Sequence, residues 1–194
     1  MCIKLQKIIF CSFFLHIFLV IDIIRLISTI NRCIRECKKG GKYMKEYEIN
    51  SMTLAILPIN NNKSIVYEES EEYIIEKSSN SIIKENCQFY GSSYEGRCVG
   101  TKALTGIKTK YPIIIEESRN IIFFPTSSTR TKQSSWIALN KIKTYSKNNE
   151  QSKILFKNDK KIDLDISYYS LDNQVCRATM LKSKLYERKL EEKN

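Results

Sequence analysis

Three features of this 194-residue chain predict an α+β fold. Short runs rich in β-branched and aromatic residues recur between Tyr47 and Ser167, each bounded by polar turn residues. A middle stretch, 79–106, instead carries serines and glycines suited to helix starts and stops. Near the end, Leu171, Val175, Ala178, Leu181 and Leu185 recur at spacings of 4, 3, 3 and 4, the signature of one apolar helix face. The expected architecture is a mainly antiparallel β-sheet or partly closed barrel, with a helical or looped middle and a C-terminal helix packed on the sheet.

Taken in order, "EYEINSMTLAILPI" reads as two short strands joined at Asn50-Ser51, with Pro58 ending the second. "SIVYEE" and "EYIIEK" follow as strands after the polar loop "NNNK". "SNSIIKENCQFYG" reads as a helix, capped by Ser79 or Ser81 and stopped by Gly91. "SSYEGRCVGTKALTG", with Gly96, Gly100 and Gly106, is a short helix or a structured loop. "YPIIIEE" and "NIIFFP" are strands turned at "SRN", and "TSSTRTKQSS" is a polar, basic loop. "WIALNKIKTYSK" alternates as one strand, with Trp136, Ala138, Asn140, Ile142 and Thr144 on one face. "KILFKNDKKIDLDIS" is a hairpin turning at Asn158-Asp159. The last helix begins near Ser170, with Asn173 completing a weak N-cap signature.

The net charge of +11 is unevenly spread. Residues 1–43 contribute +6, residues 44–77 carry −4, and residues 78–194 carry +9. The last part would attract a polyanion and the part before it would repel one. The single histidine, His16, lies within residues 1–43, so His-based triads, zinc sites and metalloprotease helices are excluded from residues 44–194. Cys87, Cys98 and Cys176 are odd in number and form no C-x-x-C pair, which fits reduced thiols packed in a core. "GSSYEGRCVG" matches neither glycine-rich phosphate-loop pattern. Asp163 and Asp165 share a strand face without a third carboxylate or histidine nearby in sequence, as on a solvated strand edge. No enzyme activity, metal or cofactor is expected.

Residues 8–24 form a nearly continuous apolar run, interrupted by His16 and Asp22 and short for a spanning helix. A membrane anchor would keep the remainder on the cytoplasmic side, because the denser basic flank runs from Arg25 to Lys42. A secretory signal would need a small-residue cleavage site, and none follows. The favoured reading comes from the genetic code. "KKGGKYM" can be encoded with AAAGGAGG just before the Met44 codon, which matches a bacterial ribosome-binding site. Residues 1–43 are therefore read as upstream sequence, or alternatively as an anchor, and residues 44–194 as a single domain.

Basic side chains nominate the binding surface. Arg97, Lys102, Lys108 and Lys110 thread the glycine-containing middle, while Arg119, Arg130 and Lys132 flank "FFPTSST" with Ser127, Ser128 and Thr129. Hydroxyl and guanidinium groups side by side suit phosphate oxygens, and an arginine on a loop suits a narrow minor groove.

These stretches resemble the ComK family of competence transcription factors. The matching pieces run in order as "YEINSMTLAILP", "CQFYGSSYEGR", "TGIKTKYPIII", "IIFFPTSSTR" followed by Trp136, and "ISYYSLDNQVCRATMLKSKL", together covering residues 45–190. The resemblance implies an activator of DNA-uptake genes that binds paired A/T-rich boxes as an oligomer, largely through the minor groove, in the cytoplasm at the nucleoid. It also implies contact with RNA polymerase and supplies no catalytic residues. The family's further C-terminal segment, tied to activation and adaptor-guided proteolysis, is not matched after the last helix, so the adaptor and protease partners are in doubt. Two alternatives stand beside this reading: a membrane-anchored regulatory or interaction protein, and a tail-less paralogue that modulates a full-length competence factor.

Overall fold

Strands made of consecutive apolar residues, rather than alternating ones, are explained by a sheet covered on both faces. The computed structural model describes residues 42–130 and 133–191. Seven strands form an open sheet: β1 (Lys42–Met44), β2 (Thr53–Asn60), β3 (Lys63–Glu68), β4 (Glu72–Ile75), β5 (Ile113–Glu116), β6 (Ile121–Pro125) and β7 (Trp136–Ala138). Their order is β1-β4-β3-β2-β7-β6-β5, so β1 and β5 are edges and the sheet does not close into a barrel. Every pairing is antiparallel except β1 with β4. A second, antiparallel sheet has the order β10-β9-β8, from β8 (Ile142–Asn148), β9 (Gln151–Phe156) and β10 (Lys161–Leu164).

Helices α1 (Ser79–Phe89) and α2 (Tyr94–Thr105) lie against one face of the large sheet. The small sheet and α3 (Tyr168–Glu191) lie against the other. In β6, Ile121 and Phe123 enter the first core while Ile122 and Phe124 enter the second, and all are buried. Two covered faces make both parities apolar. The fold is thus α+β, with the C-terminal helix packed on the sheet.

Several elements differ from the sequence reading for identifiable reasons. The first expected strand, around 46–50, is not a strand. The buried Asn86 side chain of α1 takes over its pairing, accepting from the Ile49 N–H at 2.7 Å and donating to the Tyr47 carbonyl at 2.9 Å. Pro58 does not end β2 but sits inside it, opposite Ser64. β7 pairs with β2 only at Ala55 and Ile56, so the missing N–H of Pro58 breaks no ladder bond to it. α1 is capped by Ser78, whose Oγ accepts from the Ser81 N–H at 3.2 Å, rather than by Ser79 or Ser81. Ser79 instead donates to the Ser134 carbonyl at 2.6 Å.

Gly91, at φ +72°, ends α1 as expected. The glycine-rich middle proves helical: Ser93 caps α2 and Gly106, at φ +71°, closes it in the left-handed conformation that glycine adopts without strain. "WIALNKIKTYSK" is not one strand, because a 3₁₀ turn at Leu139–Lys141 breaks the alternation and sends β8 into the second sheet. The hairpin turn at Asn158-Asp159 is present, with Asp159 at φ +63°. α3 starts before Ser170, which donates its N–H to the Ser167 Oγ at 3.3 Å. β1 was not expected at all. Residues 1–41, including the apolar run 8–24, lie outside the described residues, and among those described no helix is long and apolar enough to cross a membrane.

Candidate nucleic-acid interface

Between Gly96 and Asn149 ten basic residues are accompanied by only two carboxylates, Glu116 and Glu117. The fold places those two at one end of the β5–β6 hairpin. Most of the nominated side chains lie at the other end. There, residues 106–112 lead from α2 into β5, and residues 126–135 lead out of β6 into β7. Antiparallel pairing sets Ile113 opposite Phe123, so the two connections emerge side by side.

The second connection is pinned at its base. The Thr126 N–H donates to the Ser135 carbonyl at 2.9 Å, and the Ser134 hydroxyl bonds the Ser127 carbonyl at 3.3 Å. Its far side rests on α1, where Asn80 Nδ2 donates to the Thr129 carbonyl at 3.0 Å and Trp136 Nε1 donates to Asn80 Oδ1 at 2.8 Å. The Tyr94 ring packs edge-on against Trp136, with centroids 6.2 Å apart. Thr129 lies beside the Tyr94 hydroxyl, whose pKa burial raises. The result is a braced loop that carries exposed Ser128 and Arg130 at its tip, with the Arg130 N–H bonded to the Ser128 Oγ at 3.4 Å. Lys132 lies outside the described residues.

Residues 106–112 are held by a bond from α2 and by one within the segment. Thr101 of α2 donates to the Pro112 carbonyl at 2.9 Å, and the Tyr111 hydroxyl donates to the Lys108 carbonyl at 2.8 Å. Lys102 and Lys108 are exposed, and Lys110 is half-buried with a left-handed backbone at φ +51°. Arg97 is also half-buried on α2, its Nε shielded and without a hydrogen-bond partner. Its charge reaches Cys87, although burial dominates there and pushes that thiol up to about 11.

Arg177 on α3 completes the group, and sequence reasoning missed it. Its Nη1 donates to the Thr109 carbonyl at 3.1 Å, a partner that spacing along α3 cannot reveal. Among the described residues, none of Arg97, Lys102, Lys108, Lys110, Arg130 and Arg177 forms an ion pair. Many lysines elsewhere are paired, such as Lys141 with Glu69 at 2.6 Å and Lys160 with Glu72 at 2.9 Å, although Lys45, Lys147, Lys157, Lys161 and Lys182 also form no ion pair among the described residues.

Arg119 does not join this group. It sits in the turn at the opposite end of β6, a separation of roughly 15 Å at the usual rise per strand residue. It bonds Glu116 Oε2 at 3.0 Å and lies over the Tyr90 ring at 6.0 Å. Asp163 and Asp165 are likewise engaged, accepting from Asn148 and Gln151 at 3.0 Å. Cys87, Cys98 and Cys176 are free, but Cys176 is exposed rather than buried, because it lies off the packed face of α3.

A field of unpaired cations, with serine and threonine hydroxyls between them and no carboxylate partner, has the chemistry of a polyanion-binding surface. Residues 44–190 match the family described as ComK protein. The Competence transcription factor of Bacillus subtilis (strain 168) is 34% identical over 155 residues, which span 78% of this chain and 81% of that protein. The chain belongs to the ComK family. No solved structure matches it.

Proposed function

We propose that this ComK-family chain, a competence transcription factor, activates DNA-uptake genes by binding paired A/T-rich boxes in double-stranded promoter DNA. The contact surface is α2, the 106–112 connection, residues 126–130 and Arg177 of α3, and the observation that carries it is the set of six cations without ion-pair partners among the described residues. Lys102, Lys108 and Lys110 supply charge for phosphates, Ser127, Ser128 and Thr129 supply hydroxyls, and Arg130 on the braced tip enters the minor groove.

The minor groove distinguishes A·T from G·C but little more, so specificity must also come from groove width and box spacing. Binding as a homo-oligomer to spaced boxes meets that need, and the protein acts in the cytoplasm at the nucleoid, in contact with RNA polymerase.

Gel-shift titration on a duplex carrying two A/T boxes tests the reading. Affinity is expected to fall steeply with salt and to be competed by a minor-groove drug. Binding indifferent to both would refute it.

A further inference from the structure

The packed face of α3 carries one polar residue among its apolar ones. Gln174 is 2% exposed, in line with Leu171, Ala178 and Leu181. A buried amide in an apolar stripe is costly unless its hydrogen bonds are met. They are met by backbone from two other segments. Gln174 Nε2 donates to the Pro125 carbonyl at 2.6 Å and to the Lys110 carbonyl at 3.4 Å. Its Oε1 accepts from Arg177 Nη1 at 3.4 Å, and that same nitrogen donates to the Thr109 carbonyl at 3.1 Å.

One helical turn thus grips both basic connections where they leave the sheet: Thr109 and Lys110 in one, Pro125 at the root of the other. The gripped carbonyl of Lys110 belongs to a lysine with φ +51°, a conformation that a residue with a side chain adopts at a cost and keeps only when its surroundings hold it.

We infer that Gln174 and Arg177 are positioning residues that hold the two basic connections at a fixed relative placement, and that this placement sets the preference for A/T boxes over other DNA. The inference rests on the DNA-binding reading given above. Non-specific attraction needs only positive charge near phosphates. Sequence preference needs the minor-groove arginine and the phosphate-binding lysines to engage together, so it depends on their spacing. Gln174 is neutral and buried, and therefore governs the second property without contributing to the first.

The test uses the full chain and two duplexes of equal length, one with two A/T boxes and one of random sequence. Gln174→Met, close in volume and apolar, is expected to lower the ratio of the two affinities by about tenfold, the equivalent of one mismatched base pair. Its binding to random DNA and its salt slope stay as in the parent chain. Amide hydrogen exchange at residues 107–111 of the free protein is expected to speed up.

Should Gln174→Met not fold, Arg177→Met, at a half-buried site, carries the same test on the ratio and on exchange. Arg177→Lys separates placement from charge. Restored charge without a restored ratio supports positioning, and full rescue by lysine overturns it for Arg177. A folded Gln174→Met with unchanged ratio and unchanged exchange overturns the inference. A parent chain that shows no preference between the duplexes overturns the DNA reading instead, and the exchange measurement then still decides whether the clamp exists.

Discussion

Two cations of equal formal charge, Arg130 and Lys160, are placed for different work. Arg130 is exposed and unpaired at a braced loop tip. Lys160 is largely covered, bonded to Glu72 at 2.9 Å and lying 5.0 Å from the Tyr67 ring centroid. Arg130→Ala is expected to weaken box binding and to reduce the salt slope by about 1, the loss of one phosphate or groove contact. Lys160→Met is expected to leave both unchanged and to cost about 1 kcal/mol of stability. Gel shifts at several salt concentrations and a denaturant titration measure the two sides; equal binding losses would sink the assignment of Arg130.

Arg119 marks the boundary of that surface. Its partner Glu116 has its pKa lowered to about 2, first by the Ser118 hydroxyl, which burial opposes, and further by the Arg119 and Ser118 N–H groups and the Arg119 side chain. A folded pKa below the unfolded value means stabilisation that is present above about pH 4 and disappears as pH falls toward 2. Acid titration followed by NMR of the Glu116 carboxyl should show that low midpoint. The pH dependence of melting between about pH 4 and 2 should shrink in Glu116→Gln. An ordinary carboxylate midpoint near 4 would contradict the turn geometry.

At the scale of elements, Asn86 does what the absent first strand would have done. Its three buried hydrogen bonds reach the Ile49 N–H at 2.7 Å and the Tyr47 and Ile82 carbonyls at 2.9 Å. Asn86→Ala strands the Ile49 N–H and the Tyr47 carbonyl in the core, for an expected loss of about 3 kcal/mol in urea unfolding. A loss under about 1 kcal/mol would show that water or backbone shifts replace the amide.

Asn86 also shows where legibility stops. Signals carried by local chemistry were readable: Gly91 as a helix stop, the Asn158-Asp159 turn, and the 4-3-3-4 stripe on α3. The α+β class, and Lys102, Lys108, Lys110 and Arg130 as individual basic candidates, are readable from composition and run length, whereas the side-by-side emergence of the two connections comes from the β5–β6 pairing. Asn86, Gln174 and Arg177 were not readable, because their partners are backbone groups from distant segments and a lone polar residue in a helical pattern looks solvated. The switch between sheets at Leu139–Lys141 was hidden for a similar reason: three residues of 3₁₀ helix barely disturb an alternating run.

Across the whole molecule, charge is polarised. Residues 44–77 carry −4, and in the turn between β3 and β4 and at the start of β4, Glu69, Glu71 and Glu72 are answered by lysines. The six unpaired cations of the interface all lie beyond residue 90. Residues 1–43 add +6 but fall outside the ComK match, which begins at residue 44. Strand β1 straddles that boundary. Its two residues before Met44, Lys42 and Tyr43, have exposed side chains, 65% for Lys42 and 71% for the Tyr43 residue, and Lys42 contributes an exposed ion pair to Glu71. Exposed pairs are worth at most about 1 kcal/mol, and β1 covers only one edge of the sheet. We propose that residues 44–194 constitute the functional domain. A chain beginning at Met44 is expected to melt within a few degrees of the full chain and to keep its preference for A/T-box over random DNA, because no cation of the interface is removed. Melting curves and paired gel shifts compare the two chains. Collapse of the fold, or loss of the preference in a folded Met44 chain, would place an essential part of the domain before Met44.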